Sequence, residues 1–283
     1  MKVLDLFSGI GGFSLGLERA GFETVAFCEI EEFPRKVLAK HWPDVPCYED
    51  VRELTGERLK ADGISVDLIC GGYPCQPFSC AGKREGEADD RHLWPEVARL
   101  IREVQPSFCV FENVAGHITL GLDTVLSDLE GLGYASEAFV IPACAVNAVH
   151  RRDRVWIIAY TESESGNGGI DYTGICTQFE KIPESGNGGG TDDASDTNCT
   201  RLEGSAAQQI YGFGELQIES MRSGDGFRGI QYPSEPPLCR ADDGIPGGMD
   251  RTKRLKALGN SVVVQIPEII GRAIMEMDNA AGN

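Results

Sequence analysis

The sequence predicts an α/β protein with a mostly parallel sheet, helices on both faces of that sheet, and a second, small, loop-rich domain. Over the first 160 residues, short β-branched runs alternate with amphipathic stretches, which is typical of strands joined by crossover helices. The strand runs are apolar along their whole length, as expected for strands that are buried on both faces. Residues 161–250 show neither pattern and hold 17 of the 35 glycines, which indicates a separate domain or a long insertion.

The strands are predicted from continuous runs of β-branched, aromatic and other apolar residues that end at turn-forming or polar residues. In chain order they are 2–7, 24–30, 66–72, 107–114, 136–143 and 154–160, with a short additional strand just before Asp50. The carboxyl ends of parallel strands in such a sheet form the edge where ligands bind. The residues that follow these strands are therefore the first candidates for a site.

The helices are predicted from apolar residues that recur every three or four positions. They are 11–22, 31–42, 93–104 and 124–134. Order returns at 251–277, where five apolar residues form a helical stripe, namely Ile266, Ile269, Ile270, Ala273 and Ile274. We expect this last helix to pack back on the first domain, so that 1–160 and 251–283 form one domain and 161–250 the other.

Composition excludes several classes of protein. No apolar stretch reaches 18 residues, and the amino-terminal segment is charged and broken by glycines, so we expect neither a membrane span nor a signal peptide, and a cytoplasmic location. The ten cysteines form no C-x-x-C pair and no Cys/His set with zinc spacing, which argues against a disulfide framework or a metal site. Cys28, Cys70, Cys109 and Cys144 are expected to be small core residues.

The net charge of −18, of which −11 falls in 161–250, argues against a passive coat on nucleic acid. It does not argue against an enzyme that concentrates its few cations in one cleft. The densest basic run is "RTKRLK" at 251–256, and with "HRRDR" at 150–154 it is the predicted track for phosphates.

A glycine-rich turn, "DLFSGIGG", follows the first strand and opens a helix. Gly9, Gly11 and Gly12 allow a tight turn and close approach of the backbone to a ligand. Glu29 ends the second strand, where a carboxylate can accept hydrogen bonds from ribose hydroxyls. The third glycine of a dinucleotide fingerprint is replaced by serine, which favours a methyl-donor cofactor such as S-adenosylmethionine over a dinucleotide. Asp50 could reach an adenine amino group or cap a helix.

The stretch "GGYPCQPFSC" holds Cys75 between two prolines at the exit of a central strand. The prolines restrict this loop, so the direction of the thiol is set before a substrate arrives. A nucleophilic thiol needs a nearby positive charge, which Arg152 and Arg154 could supply at the end of another strand. Glu112 follows an apolar strand, where its pKa can be raised so that it donates a proton.

These motifs, in this order and spacing, resemble those of the DNA (cytosine-5)-methyltransferases. "DLFSGIGGFSLGLERAGF" and "CEI" are similar to the first two motifs of that family, "GGYPCQPFS" to its catalytic cysteine motif, and "ENV" to its glutamate motif. "HRRDRVWIIA" resembles the Gln-x-Arg-x-Arg motif, with His150 in place of the glutamine, and "GNSVVVQIPEIIG" resembles the last motif. Ile30 stands where many members carry an aromatic residue.

The resemblance implies a Rossmann-like class I methyltransferase sheet, with a small target-recognition domain in 161–250. It implies methyl transfer from S-adenosyl-L-methionine to C5 of a flipped-out cytosine in duplex DNA. Cys75 would add to C6 of the ring, Glu112 would act at N3, and Arg152 and Arg154 would hold the cytosine carbonyl and the catalytic loop.

The resemblance also implies the remaining contacts. Phe7 would lie against the adenine, Asp50 would contact its amino group, and Asn260 would begin the closing helix near the methionine end of the cofactor. The loop 76–91 would close over DNA, and its phosphate-binding residues would be Ser79, Lys83, Arg84 and Arg91. Duplex DNA is the expected partner of a monomeric enzyme, with a cognate restriction endonuclease as a candidate functional partner.

Three other functions remain open at this point. The same chemistry could act on tRNA, since one branch of the family methylates RNA. A nicotinamide-dependent oxidoreductase would use the same glycine turn, although the serine and the Pro-Cys turn argue against it. A DNA-binding module without activity would not need both Cys75 and Glu112.

Overall fold

The computed structural model describes residues 1–74, 93–146, 148, 152–161, 200–201 and 251–281. The strands in these ranges are β1 (Lys2–Leu6), β2 (Glu23–Cys28), β3 (Cys47–Tyr48), β4 (Leu68–Gly71), β5 (Phe108–Val114), β6 (Tyr134–Pro142), β7 (Asp153–Thr161) and β8 (Thr200–Arg201). The helices are α1 (Gly12–Arg19), α2 (Glu32–His41), α3 (Gly56–Ala61), α4 (Trp94–Val104), α5 (His117–Leu120), α6 (Leu122–Gly131), α7 (Arg251–Asn260) and α8 (Gln265–Ala281). A 3₁₀ turn at Ala143–Val146 follows β6.

The strands form one sheet in the order β3-β2-β1-β4-β5-β7-β6-β8. The pairs from β3 to β5 are parallel, and the three pairs that involve β6 and β7 are antiparallel. The α/β fold with a largely parallel sheet is therefore confirmed, and β7 and the two-residue β8 are the strands that run in the opposite direction. The predicted second domain at 161–250 lies outside the described residues, apart from Thr161 and the two residues of β8.

The reversal of β7 follows from the length of its connection. Only ten residues, 143–152, separate β6 from β7, whereas a parallel crossover needs about a dozen residues or more. The chain therefore turns back as a hairpin, and β7 lies between β5 and β6. Because β7 runs opposite to β5, its first residues lie beside the last residues of β5, in the register Val114 to Arg154.

Helices cover both faces of the sheet, as predicted. Alternate residues of β1 enter two different cores, with Leu4 and Leu6 on one side and Val3 on the other. The first core is closed by α3, α4 and α6, and the second by α1 and α8. Continuous burial on both faces explains why the strand runs are apolar throughout rather than at every second residue.

The closing helix α8 packs against α1 at very short range, and glycine makes this approach sterically feasible. A Cβ atom added at Gly16 would lie 2.5 Å from the Val264 carbonyl oxygen, and one at Gly271 would lie 2.8 Å from the Cβ of Ala20. α8 therefore packs directly on α1, the helix that follows the glycine turn. No helix among the described residues is long and apolar enough to cross a membrane.

Two short helices were not predicted, and one boundary was wrong. α3 and α5 span six and four residues, too few for a period to show, although Thr55 caps α3 by accepting a hydrogen bond from the Arg58 amide at 3.1 Å. Asn260 does not begin the closing helix. It is the last residue of α7, and α8 begins at Gln265 after a short break.

Candidate active site at the carboxyl edge of the sheet

The ends of β1, β2, β4 and β5 and the start of β7 meet at one edge of the sheet. The sequence-based expectation that Arg152 and Arg154 end a strand was wrong, because they stand at the beginning of β7. The antiparallel direction of β7 nevertheless brings them to the edge where Glu112 lies, since Val114 of β5 pairs with Arg154. Glu112 and the two arginines therefore lie at one edge, whereas the expected proximity of the arginines to Cys75 stays a prediction because Cys75 lies outside the described residues.

Glu112 and Arg154 form a shielded ion pair at the end of β5. The Arg154 Nε atom lies 2.7 Å from Glu112 Oε1, and only 12% of the Glu112 side chain is exposed. Burial raises the pKa of Glu112, and the positive charges of Arg154 and Arg152 oppose this rise. A raised pKa makes the carboxyl group easier to protonate, and a general acid must carry a proton.

The exit of β4 lies directly beside that carboxyl group. A Cβ atom added at Gly72 would be 3.1 Å from Glu112 Oε2, so the backbone that leads to Cys75 passes close to the acid. The side-chain amide of Asn113 donates to the Tyr73 carbonyl oxygen at 3.1 Å and accepts from the Val114 amide at 2.9 Å. No role was predicted for Asn113, and the structure shows that it joins the end of β5 to the residues that follow β4.

Arg152 connects this edge to the returning helix α7. Its Nη2 atom donates to the Gly259 carbonyl oxygen at 2.7 Å, across 107 residues of sequence. Burial and the neighbouring charge of Arg154 lower the pKa of Arg152. Gly259 lies in the last turn of α7, whose carbonyl groups have no partner inside the helix, so a cation is favourable there.

Glu29 is held by the backbone at the end of β2. One carboxylate oxygen accepts from the Gly9 amide at 2.8 Å and the other from the Glu31 amide at 2.7 Å. The side chain is buried, and these two donors fix its orientation beside the glycine turn. Each oxygen keeps a lone pair that can accept a hydrogen bond, so the carboxylate can accept from two ribose hydroxyls. The neighbouring Ile30 is 61% exposed, so it offers an apolar surface next to this acid.

The three glycines of the turn differ in what a side chain at each position would contact. Gly9 has φ +53, and a Cβ atom there would meet nothing closer than the Phe7 carbonyl oxygen at 4.0 Å, so this position is open to a ligand. Gly11 has φ +86, and a Cβ atom would lie 2.6 Å from the Trp42 ring. A Cβ atom at Gly12 would lie 2.7 Å from the Ser261 hydroxyl. Gly11 and Gly12 are therefore required by contacts within the protein, whatever a cofactor adds.

Phe7 itself has φ +52, a left-handed conformation that is unusual for a bulky residue. It is partly buried against the core at the end of β1 and precedes the open glycine. Backbone strain of this kind occurs mainly at ligand sites, where the surrounding structure maintains it.

The serine that replaces the third glycine has a structural partner. The hydroxyl of Ser14 donates to Asp5 Oδ2 at 2.7 Å, and both residues are fully buried. Burial raises the pKa of Asp5 to about 7, and the hydrogen bond from Ser14 only partly opposes this. This bond ties the first turn of α1 to β1 and so fixes the glycine turn between them. Nothing in the sequence pattern singled out Asp5, which lies inside an apolar strand.

Two other residues that were predicted to contact ligands bind side chains of the protein itself. Both carboxylate oxygens of Asp50 bind the Arg52 side chain, at 2.6 to 3.0 Å, so its contact with an adenine stays a prediction. In the basic run, Lys256 pairs with Glu31 at 2.5 Å rather than standing free for phosphate. The expected phosphate track is thus partly used to hold α7 against the start of α2.

Several predicted residues lie outside the described part of the chain. These are Cys75, Ser79, Lys83, Arg84, Arg91 and His150. Asn260 is exposed, and the residues just after it, Ser261 and Val262, are the ones that reach Gly12. Cys28, Cys70 and Cys109 are buried core thiols as expected, whereas Cys144 is only half-buried. In the described ranges, no three His, Cys, Asp or Glu side chains come together as metal ligands.

Comparison with known proteins agrees with this arrangement. The chain is 36% identical over 173 residues to the type II methyltransferase M.HgiBI of Herpetosiphon aurantiacus, and 39% identical over 161 residues to M.NgoMIV of Neisseria gonorrhoeae. These matches cover 59% and 55% of this chain but only 39% and 50% of the relatives, so the chain spans about half of their length or less.

Among solved structures, the Dnmt2 methyltransferase of S. pombe matches 99% of both chains with a TM-score of 0.66 and 16% identity, which supports the fold alone. The family model for C-5 cytosine-specific DNA methylases matches residues 1–209 of the 283. Taken with the edge of the sheet described above, this match over most of the chain means that the protein belongs to the C-5 cytosine-specific DNA methylase family.

Proposed function

We propose that this chain transfers a methyl group from S-adenosyl-L-methionine to C5 of a flipped-out cytosine in duplex DNA, at a specific sequence. The observation that carries the proposal is the shielded Glu112–Arg154 pair, which lies beside the backbone that leads from β4 to Cys75. Addition of a thiol to a cytosine ring needs an acid close to the nucleophile. Here a carboxyl group with a raised pKa lies beside the strand exit that leads to the cysteine. Membership of the family supports the same reaction.

The residues at the glycine turn fit the proposed cofactor. Glu29 offers two oriented carboxylate oxygens for ribose hydroxyls, Gly9 leaves open space beside them, and Phe7 and Ile30 offer apolar surface for an adenine. Asn260 and the residues after it would lie near the methionine end, and Asp50 near the adenine amino group. When bound, the cofactor supplies a methyl group on a sulfonium centre.

The chain's own residues would activate the base. Cytosine C5 is a poor nucleophile, and addition of the Cys75 thiolate to C6 makes it an enamine carbon that can accept a methyl group. Glu112 would donate a proton or a hydrogen bond to N3 as charge develops there, with Arg154 holding the carboxyl in place. Arg152, which is hydrogen-bonded to α7, would act together with Arg154. Loss of the C5 proton then expels Cys75 and restores the aromatic ring.

The target carbon is inaccessible inside a duplex, so the base must leave the helix. We assign the loop 76–91 to holding the DNA during this step, with phosphate contacts from Ser79, Lys83, Arg84 and Arg91. Sequence choice would belong to 161–250, acting in a monomeric enzyme. The type II designation of the relatives favours a restriction–modification role, with a cognate restriction endonuclease as functional partner.

The proposal is tested by expression in a bacterial host that lacks cytosine-5 methylation, followed by bisulfite sequencing of the host DNA and RNA. We expect protected cytosines in one short DNA sequence with the wild-type chain and none with Cys75→Ser or Glu112→Gln. Cys47→Ser, which changes a half-buried thiol in β3, three strands from β4, is the matched control and should retain the pattern. Protection confined to tRNA, or protection that survives Cys75→Ser, would overturn the proposal.

A further inference from the structure

Tyr73 is held at both ends just before the chain reaches Cys75. Its side chain is buried, and only Pro74 separates it from the cysteine, so the two Cα atoms are at most about 7 Å apart. At the backbone end, the Asn113 amide binds the Tyr73 carbonyl oxygen at 3.1 Å. The orientation of Tyr73 therefore influences the direction in which the backbone leaves β4.

At the side-chain end, the Tyr73 hydroxyl and His117 Nε2 form a hydrogen bond of 2.7 Å between two buried groups. The Tyr73 ring lies against Trp94 and Phe111, with centroids 5.1 and 6.0 Å away, so the bond is surrounded by aromatic rings rather than water. A hydrogen bond in such surroundings is strong, and a partner left without it is destabilising. This buried hydrogen bond therefore adds a directional restraint on the tyrosine to the restraint from packing.

His117 is itself buried, so close packing limits how far it can follow the tyrosine if it moves. It begins α5, only five residues after Glu112. Burial lowers the pKa of His117, which keeps the ring neutral at neutral pH. The pair thus links the turn after β4 to the segment that follows the acid of β5.

We propose that Tyr73 and His117 are positioning residues, whose hydrogen bond sets the path of the backbone toward Cys75 and so the rate at which its thiolate adds to the base. This inference rests on the proposed function. It assigns neither residue a contact with DNA or cofactor. Loss of the bond should therefore slow covalent addition and leave the affinity for both ligands unchanged.

The test uses variants of the whole chain that separate positioning from stability. Tyr73→Phe removes only the hydroxyl, and His117→Gln keeps a polar group near the position of Nε2. The double variant Tyr73→Phe/His117→Leu removes both partners of this bond together, so that neither partner of the bond stays buried without the other. Tyr134→Phe is the matched control, because the Tyr134 hydroxyl also makes a buried hydrogen bond, to the Pro106 carbonyl at 2.6 Å, near the amino end of β5.

The readout is the rate of covalent trapping, at saturating S-adenosylmethionine, on a long duplex in which every cytosine is replaced by 5-fluorocytosine. Fluorine takes the place of the C5 hydrogen, so after methyl transfer no proton can be lost from C5 to expel the thiolate, and the Cys75 adduct accumulates. We expect trapping to be roughly tenfold slower in Tyr73→Phe and in the double variant, since small misplacements of reacting groups cost up to about a hundredfold. His117→Gln and Tyr134→Phe should stay within about threefold of wild type on the same reasoning.

The outcomes separate the inference from the proposed function. A wild-type chain that forms no adduct would refute the proposed function, and the inference with it. A trapping wild type with Tyr73→Phe as fast as Tyr134→Phe would refute the inference alone. So would a double variant that regains its trapping rate together with its midpoint of urea unfolding, because the hydrogen bond would then matter only for stability.

Discussion

The buried acid of β1 leads to a prediction about how stability depends on pH. Asp5 lies beneath the glycine turn, with Ser14 bonded to Oδ2 and no partner on Oδ1 among the described residues. Burial raises its pKa from 3.8 to about 7. The folded state therefore holds this proton more tightly than the unfolded state, and stability must fall as pH rises from about 4 to about 7.

The size of the effect follows from that shift. One pKa unit corresponds to about 1.4 kcal/mol, so full ionisation of Asp5 lowers the free energy of unfolding by about 4 kcal/mol, and more than half of this loss falls between pH 5 and pH 8. Asp5→Asn removes the ionisation and keeps an oxygen for Ser14. The variant should therefore gain roughly 2–3 kcal/mol on the wild type when pH rises from 5 to 8.

The measurement is urea unfolding of both proteins at pH 5 and pH 8, and the quantity compared is the difference between them, which cancels the titration of all other groups. Any constant penalty of the amide in the buried site also cancels. Asp123→Asn, an exposed aspartate on α6, is the control and should give the same difference at both pH values. A constant difference for Asp5→Asn as well would show that the reasoning about this carboxyl is wrong.

Three further predictions concern the site. Glu112→Gln should slow single-turnover methyl transfer by about a hundredfold or more with donor affinity unchanged, because the amide cannot supply a proton; a loss of donor affinity instead would contradict the assigned role. Gly11→Ala should lower the free energy of unfolding by roughly 2–4 kcal/mol, since φ is +86 and the methyl group would lie 2.6 Å from Trp42. Gly131→Ala, which has open space around it, should be nearly neutral in the same urea experiment, and equal losses would argue against the clash. Glu29→Gln should weaken S-adenosylmethionine binding about tenfold by titration calorimetry, because the amide can accept only one of the two backbone hydrogen bonds; unchanged binding would remove Glu29 from the cofactor site.

Elements whose signal is local were predictable. The long strands and α1, α2, α4 and α6 were placed to within about two residues at most ends, because continuous burial and helical periodicity leave their trace in adjacent residues. Glu29 and Glu112 were found because each lies at or near the carboxyl end of a strand, at the edge where ligands bind. The direction of β7 was missed because apolar strand runs read alike in either direction, and only the short 143–152 connection carried that information.

Contacts between distant parts of the chain were not predictable. No sequence signal marked Asp5 in β1, because its bond to Ser14 depends on how α1 packs on the strand. Gly11 looked like a ligand-binding glycine, whereas its lack of a side chain is needed by Trp42, 31 residues later. Each of these roles depends on which atoms meet after folding, and spacing in the sequence does not encode that.

The sequence alone determined the α/β class, the family resemblance and the residue types that carry the chemistry, because strand and helix periods and motif spacing are properties of neighbouring residues. Only the tertiary structure decided how those residues are held: Glu112 by Arg154 through the reversed β7, Glu29 by two backbone amides, and Tyr73 by Asn113 and His117. The physical reason is that hydrogen bonds and desolvation act through space at about 3 Å, between groups that the chain brings together from far apart.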